Sequence, residues 1–134
     1  MSGYSGTPLA KKLGIKAGSR VFLLNGPSNY RSLISPMPDG STIVTRFGAT
    51  TDIAHIFTIR KSELARFLRS ALSKMRRDAA IWVSWPKKAS NVPTDITEDT
   101  IRAVALPLGL VDIKVCAVDE TWSGLKLVIR KENR

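Results

Sequence analysis

The chain has 134 residues, 43% hydrophobic and 24% charged, a length and balance that suit one globular domain and exclude disorder. No apolar run approaches the roughly 18 residues of a membrane span, the small polar start Met1 to Gly6 leads to Lys11-Lys12-Leu13-Gly14 rather than a secretory apolar region, and the single Cys116 cannot form an internal disulfide, so the expectation is a cytoplasmic protein with no membrane partner. The net charge of +10 raises nucleic acid as a partner, and nine Lys/Arg against Glu63 and Asp78 between Arg60 and Lys88 supply most of that surplus.

Thr7-Pro8 has the form of a helix start, Thr as cap and Pro in the first turn, for a short helix through Lys12 that stops at Gly14. Residues 1–18 read as an N-terminal arm with this short helix, and 20–131 as the core of a single domain spanning 1–134. Val21 to Leu24 is a continuous apolar strand ending in the turn Asn25-Gly26-Pro27. Ser28 to Ile34 has room for one short helix before Pro36 and Pro38. Thr42 to Arg46 and Ile53 to Ile59 are the second and third strands. The few residues from Phe47 to Asp52 are too short for a helical crossover, so either an extended segment crosses or the two strands are antiparallel; the first is favoured.

Ser62 opens the clearest helix, with Leu64, Phe67, Leu68, Leu72 and Met75 at helical spacing. Ala80 to Trp85 is a fourth strand stopped by Pro86. A helix follows from near Asp95 or Thr97, where Asp95 and Glu98 have capping-box spacing, and Ile101, Val104, Ala105 and Leu108 form its inner face up to Pro107 and Gly109. The chain ends in a hairpin, Val111, Ile113, Val115 and Ala117 alternating on one strand and Leu125, Leu127 and Ile129 on the other. This order predicts an α/β, three-layer, Rossmann-like fold with a mostly parallel sheet closed by a C-terminal antiparallel hairpin.

That order resembles a cut-down Rossmann-like methyltransferase. Asp52 to Phe57 resembles the mid-sheet strand of those enzymes, Ala80 to Lys87 the strand after it, and Gly109-Leu110-Val111 through Arg130-Lys131 their reversed last strand. Three stretches also look like signatures of a family of small bacterial proteins classed as a domain of unknown function: Ser2 to Gly14, Trp85-Pro86-Lys87-Lys88, and Val115 to Lys126 with its core Asp119-Glu120-Thr121-Trp122-Ser123-Gly124. The resemblance implies a bacterial origin and carries no activity.

The chemistry-bearing residues narrow the function. An adenosyl or dinucleotide site needs a glycine-rich first turn so that backbone approaches the ligand. Here the turn is Asn25-Gly26-Pro27-Ser28-Asn29-Tyr30, one glycine with a tyrosine expected to crowd the site, and the second strand ends Thr45-Arg46 where such folds carry an acid. No cofactor is therefore expected. One His and one Cys do not make a zinc site, so no metal and no catalytic residue is assigned. His55, between Ala54 and Ile56, reads as an interior hydrogen-bonded histidine and Cys116 as a packing residue. Asp95, Glu98 and Asp99 suit a helix start.

The ligand-binding candidates are Asn25, Gly26 and Ser28 with Trp85, Lys87 and Lys88, because ligands of open α/β sheets sit beyond the carboxyl ends of the strands and two lysines with an aromatic ring suit a small anion. The interaction-surface candidates are Trp122, Asp119 and Glu120 at the hairpin tip and Arg66, Arg69, Arg76 and Arg77 on the basic helix. Turn chemistry accounts for Asp119 and Glu120 equally well. A solvated helix face accounts for the arginines better than a phosphate surface does, since no aromatics alternate with them. The leading expectation is a non-catalytic ligand-binding or interaction module on a degenerate scaffold. Nucleic-acid association through residues 60–88, or an enzyme acting on a small anionic substrate at the Trp85–Lys88 loop, are the alternatives. A homodimer through Trp122 or the hairpin edge is compatible with all three.

Overall fold

A computed structural model describes residues 6–134; Met1 to Ser5, and with them the start of the stretch compared with the bacterial family and of the secretory-signal reading, lie outside the described residues. In chain order the elements are α1 (Leu9–Leu13), β1 (Arg20–Leu24), α2 (Tyr30–Leu33), β2 (Thr42–Val44), β3 (Ile53–Phe57), α3 (Lys61–Leu72), β4 (Ala80–Pro86), α4 (Glu98–Ala105), β5 (Leu110–Ala117) and β6 (Trp122–Ile129). The six strands make one sheet in the order β2-β1-β3-β4-β6-β5. The first four are mutually parallel, and the hairpin returns antiparallel, with β6 inserted between β4 and β5. This is the α/β fold that the order of apolar segments predicts.

The doubtful link resolves as an extended crossing. β2 and β3 both run parallel to β1 but on opposite sides of it, so they never pair. The second strand ends at Val44, two residues earlier than expected, which leaves 45–52 to carry the chain back. Eight extended residues reach at most about 28 Å, ample for the height of a five-residue strand. Phe47 fills the place of a crossover helix: its ring lies 5.7 Å from both Phe22 and Phe67, on the α3 side of the sheet. Asp52 then fixes the start of β3 by accepting the Arg20 N–H at 2.7 Å and the Arg76 guanidinium at 2.7 Å.

Period-two alternation divides the sheet between two cores. Ala54, Ile56, Ile81, Val83, Trp85, Leu125 and Leu127 face α3 and α4, which contribute Leu64, Leu68, Ile101 and Ala105. Ile53, Phe57, Val21 and Trp82 face α1 and α2, which contribute Ala10, Leu13, Tyr30 and the adjoining Ile34. The segment read as an arm is thus folded in: Ala10, Leu13 and Ile15 are buried, and the Trp82 Nε1–H donates to the Leu13 carbonyl at 2.9 Å. Helix α1 begins at Leu9, with Pro8 at the cap position and no side-chain cap; the Pro8 carbonyl accepts the Lys12 N–H, so Thr7 does not serve as the cap expected of it. Gly14, at φ 83°, ends the helix in the left-handed region that favours glycine.

Two other local expectations are corrected. The capping box of α4 is Thr97 with Thr100, not Asp95 with Glu98. Asp95 instead caps α3 across the loop, its Oδ1 accepting the Lys61 N–H at 2.7 Å. In the hairpin, a β-bulge between Asp112 and Lys114 breaks the alternation. Ile113 and Val115 are each 56% exposed and Leu110 is the buried residue of β5, so Val111, Ile113, Val115 and Ala117 do not form one inward row. No helix among the described residues is long and apolar enough to cross a membrane.

Candidate functional site

The sheet has a topological switch point between β1 and β3, because the chain leaves β1 toward β2 and leaves β3 toward β4. Ligands of such sheets bind in the crevice at the carboxyl ends of those strands, here bordered by Asn25 to Ser28 after β1 and Thr58 to Arg60 after β3. The protein fills both sides with its own groups. On the β1 side, Asn25 turns the chain at φ 57° and Gly26 follows. An ideal Cβ placed on Gly26 would lie 2.6 Å from Leu23 Cδ1 and 2.8 Å from Leu23 Cγ, so the space a glycine opens for a ligand is occupied by leucine. On the β3 side, the Ile59 carbonyl accepts the Thr94 hydroxyl at 2.8 Å and the Asp95 N–H at 3.3 Å. With Asp95 capping α3, the helix end that would attract an anion already holds a carboxylate.

Tyr30 does not crowd this crevice, contrary to expectation. It is 2% exposed and turned under the sheet, where its hydroxyl meets His55 Nδ1 at 2.8 Å. His55 Nε2 meets Ser84 Oγ at 2.7 Å, completing a buried chain from α2 through β3 to β4. The imidazole stacks on Phe57 at 4.4 Å, and Phe57 meets the edge of Trp122 at 5.1 Å. Burial pushes the His55 pKa down to about 3 and raises that of the Tyr30 phenol. The histidine is therefore neutral at pH 7, satisfied on both nitrogens and enclosed, as the sequence predicts of an interior histidine.

The other candidates scatter. Trp85 is 8% exposed in the core beneath α3 and α4, so its ring cannot receive a ligand at the surface: Ile81, Val83 and Trp85 share one face of β4. Lys87 is half-buried, its N–H donating to the Thr121 carbonyl at 2.7 Å, and Lys88 is exposed. These lysines follow β4, whereas Asn25, Gly26 and Ser28 follow β1, with β3 between them; two strand spacings put the groups about 9–10 Å apart at the level of the sheet. At the hairpin tip, Asp119 Oδ1 accepts the N–H groups of Thr121 and Trp122 at 2.8 and 2.7 Å, a turn role, while Glu120 is exposed. Trp122 packs back on Phe57. On the basic helix, Arg66 and Arg69 are exposed. Arg76 bridges Asp52 and Asp78, and Arg77 donates to the Asn133 carbonyl. Asp52 is held below its ordinary pKa: burial works against this, but the Arg20 N–H and the Arg76 guanidinium outweigh it. Cys116 is half-buried, and burial raises its pKa against the pull of Lys12 and Lys114. Among the described residues no group of three or more His, Cys, Asp or Glu is placed to hold a metal ion.

With the geometry in place, comparison with known proteins defines the fold family. The fold is that of the Rossmann-like methyltransferases. An S-adenosylmethionine-dependent methyltransferase of Aquifex aeolicus superposes with a TM-score of 0.64 at 11% identity, over 90% of this chain and 88% of that one. A putative type 11 methyltransferase of Sulfolobus solfataricus matches with a TM-score of 0.60 at 11% identity, over 92% and 90% of the two chains. The M1A22 tRNA methyltransferase TrmK of B. subtilis matches with a TM-score of 0.57 at 9% identity, over 97% of this chain and 68% of that one. No protein-family model and no curated protein matches the sequence. At these identities the likeness is one of fold.

The S-adenosylmethionine of the Aquifex aeolicus enzyme can be tested against the residues present in this chain. The adenosyl crevice requires open backbone at the first turn and an acid after the second strand. Leu23 fills the first and Thr45-Arg46 stands in place of the second. The residues do not fit the group.

Proposed function

We propose that this chain is a non-catalytic binding module on a methyltransferase-like scaffold. The observation that carries the reading is Leu23 packed against Gly26, in the space that the one glycine of the turn would otherwise open to a nucleotide cofactor. Three further features support it: Asp95 already occupies the α3 amino end, Trp85 is committed to the core, and the one histidine is enclosed in a Tyr–His–Ser chain. The resemblance of Trp85 to Lys88 and of Val115 to Lys126 to the small bacterial family supports placing the chain in that family and in a bacterial cytoplasm.

Titration calorimetry with S-adenosylmethionine and with nicotinamide dinucleotides tests the reading. The expected result is no saturable binding up to about 1 mM, a free energy weaker than about 4 kcal/mol. Micromolar binding of either cofactor overturns it. Leu23→Ala sharpens the experiment: with the side chain removed, any latent affinity of the crevice should emerge, and its absence in the variant as well assigns the remaining block to Pro27 and the missing acid.

A further inference from the structure

A cluster of lysines lies at the other end of the molecule from the crevice. Lys12 and Lys16 flank the carboxyl end of α1; Lys114 is on β5 and Lys126 on β6. Lys114 and Lys126 are paired directly across the hairpin. Like charges in that position repel, and the pairing follows from the bulge after Asp112. Lys126 reaches over the helix end: its Nζ lies 3.6 Å from an ideal Cβ on Gly14. One recess there is lined by Gly14, Lys16 and Lys126 together with Asp52 and Asp78, both of which Arg76 bridges, and a neighbouring one by Lys11, Lys12, Lys114 and Cys116. The cross-strand lysine pair joins the two. Burial, Lys114 and Lys16 all depress the Lys126 pKa, so the ammonium group sits where a further positive charge is disfavoured. Among the described residues, Lys16, Lys114 and Lys126 form no ion pair with a carboxylate.

A purely structural role accounts for part of this, since a cation at a helix carboxyl end is favourable. One ammonium group answers that need in a five-residue helix. It does not explain why Lys114 and Lys126 face one another across the hairpin, against a local rule of sheet pairing; violations of that kind concentrate at functional sites.

We propose that the groove between α1 and the β5–β6 hairpin binds the phosphodiester backbone of a nucleic acid, with Lys16, Lys114 and Lys126 neutralising successive phosphates. Two recesses that each carry lysines, joined through the Lys114–Lys126 pair, suit a row of phosphates better than one small anion. No aromatic side chain lines either recess, so the contact is with backbone rather than with stacked bases, and sequence preference is weak. A groove of recessed lysines is also a poor match to a flat anionic membrane. The net charge of +10 adds long-range attraction. The inference deepens the binding-module reading but uses residues remote from the crevice, so a failure here leaves the cofactor result standing, and the reverse.

The test is fluorescence anisotropy with the full chain and a labelled DNA duplex across roughly 50 to 200 mM salt, the range over which counterion release changes affinity most visibly. The slope of log K against log salt should be about −0.9 per phosphate neutralised, hence near about −3 for three lysines. K114Q/K126Q should weaken binding about tenfold or more at the low-salt end and make the slope shallower by about 1.8. Its melting temperature should hold or rise as the repulsion is removed, which separates lost contact from lost fold, and the exposed Lys16→Gln provides a milder second variant. R66Q/R69Q, on the outer face of α3, should leave the slope where it was. No binding by the unaltered protein, equal loss in the α3 variant, or an unchanged slope in K114Q/K126Q overturns the proposal. Binding of anionic phosphatidylglycerol vesicles without binding of duplex overturns it in favour of a membrane. Competition by inorganic tripolyphosphate as strong, per mole of ligand, as by unlabelled duplex overturns it in favour of a small anion.

Discussion

Acidification from pH 6.5 toward 4.5 should lower the unfolding free energy with a slope that rises to about 1.4 kcal/mol per pH unit, and His55→Gln should remove most of that slope. The sign follows from proton counting. His55 is held down to about 3 in the folded protein by burial, against an ordinary value of 6.5. Between those values the unfolded chain binds a proton that the folded chain refuses, so stability is fully present above about pH 6.5 and is lost as pH falls toward the folded pKa. The full excursion corresponds to about 4 to 5 kcal/mol, comparable with the total stability of a small domain. The chain has a single histidine, so no other imidazole contributes in that window. Carboxylates such as Asp52, held low in the fold, add a loss of the same sign only nearer pH 4. Urea unfolding at a series of pH values, unaltered protein beside the variant, measures the difference. Equal slopes would mean that the imidazole takes up its proton without unfolding.

The second large effect is at Trp82, which is fully buried between the sheet and α1. Trp82→Ala should cost about 3–5 kcal/mol, the range for removing a large aromatic from a packed core. Trp82→Phe keeps most of the volume but leaves the Leu13 carbonyl without its donor, at about 1–3 kcal/mol. The Phe variant should act locally as well. Hydrogen exchange of the α1 amides should accelerate relative to those of β3 and β4, because that hydrogen bond joins segments 69 residues apart in the chain. Uniform acceleration across the sheet would show that α1 opens only with global unfolding. A third substitution probes the same wall from the other side. Gly124→Ala places a methyl group 3.2 Å from Trp82 Cε3 and 3.4 Å from Ser84 Oγ, and should destabilise by about 1–3 kcal/mol through overpacking in chemical denaturation.

Much of the fold is legible in the sequence because each strand and helix carries its own period. The apolar stripe of Leu64, Leu68 and Leu72 and the run Ala80 to Trp85 need no tertiary information, and the isolation of His55 among apolar neighbours marks it as interior. What escapes is set by partners distant in the chain. Asp95 has the right spacing for its own helix, yet its carboxylate caps α3, across the loop, which no local pattern encodes. Tyr30 reads as a bulky residue in a turn; only the distant His55 shows why it points inward. Trp85 is a different kind of miss. Its alternation with Ile81 and Val83 places it inside, but the neighbouring Pro86 and two lysines draw attention to the loop. The lysine groove is invisible along the chain because its members come from residues 12 to 126, and a one-residue bulge decides which of them face one another.

That bulge also governs how the sheet meets other sheets. A straight outer strand offers a row of unpaired amide and carbonyl groups onto which a second copy could add itself indefinitely. At one margin β5 is kinked at Ile113, with Lys114 beside the kink; at the other, β2 is only three residues long. Neither border provides a continuous template, so assembly by end-on growth into fibrils is checked at both flanks even though Ile113 and Val115 leave greasy surface in the open.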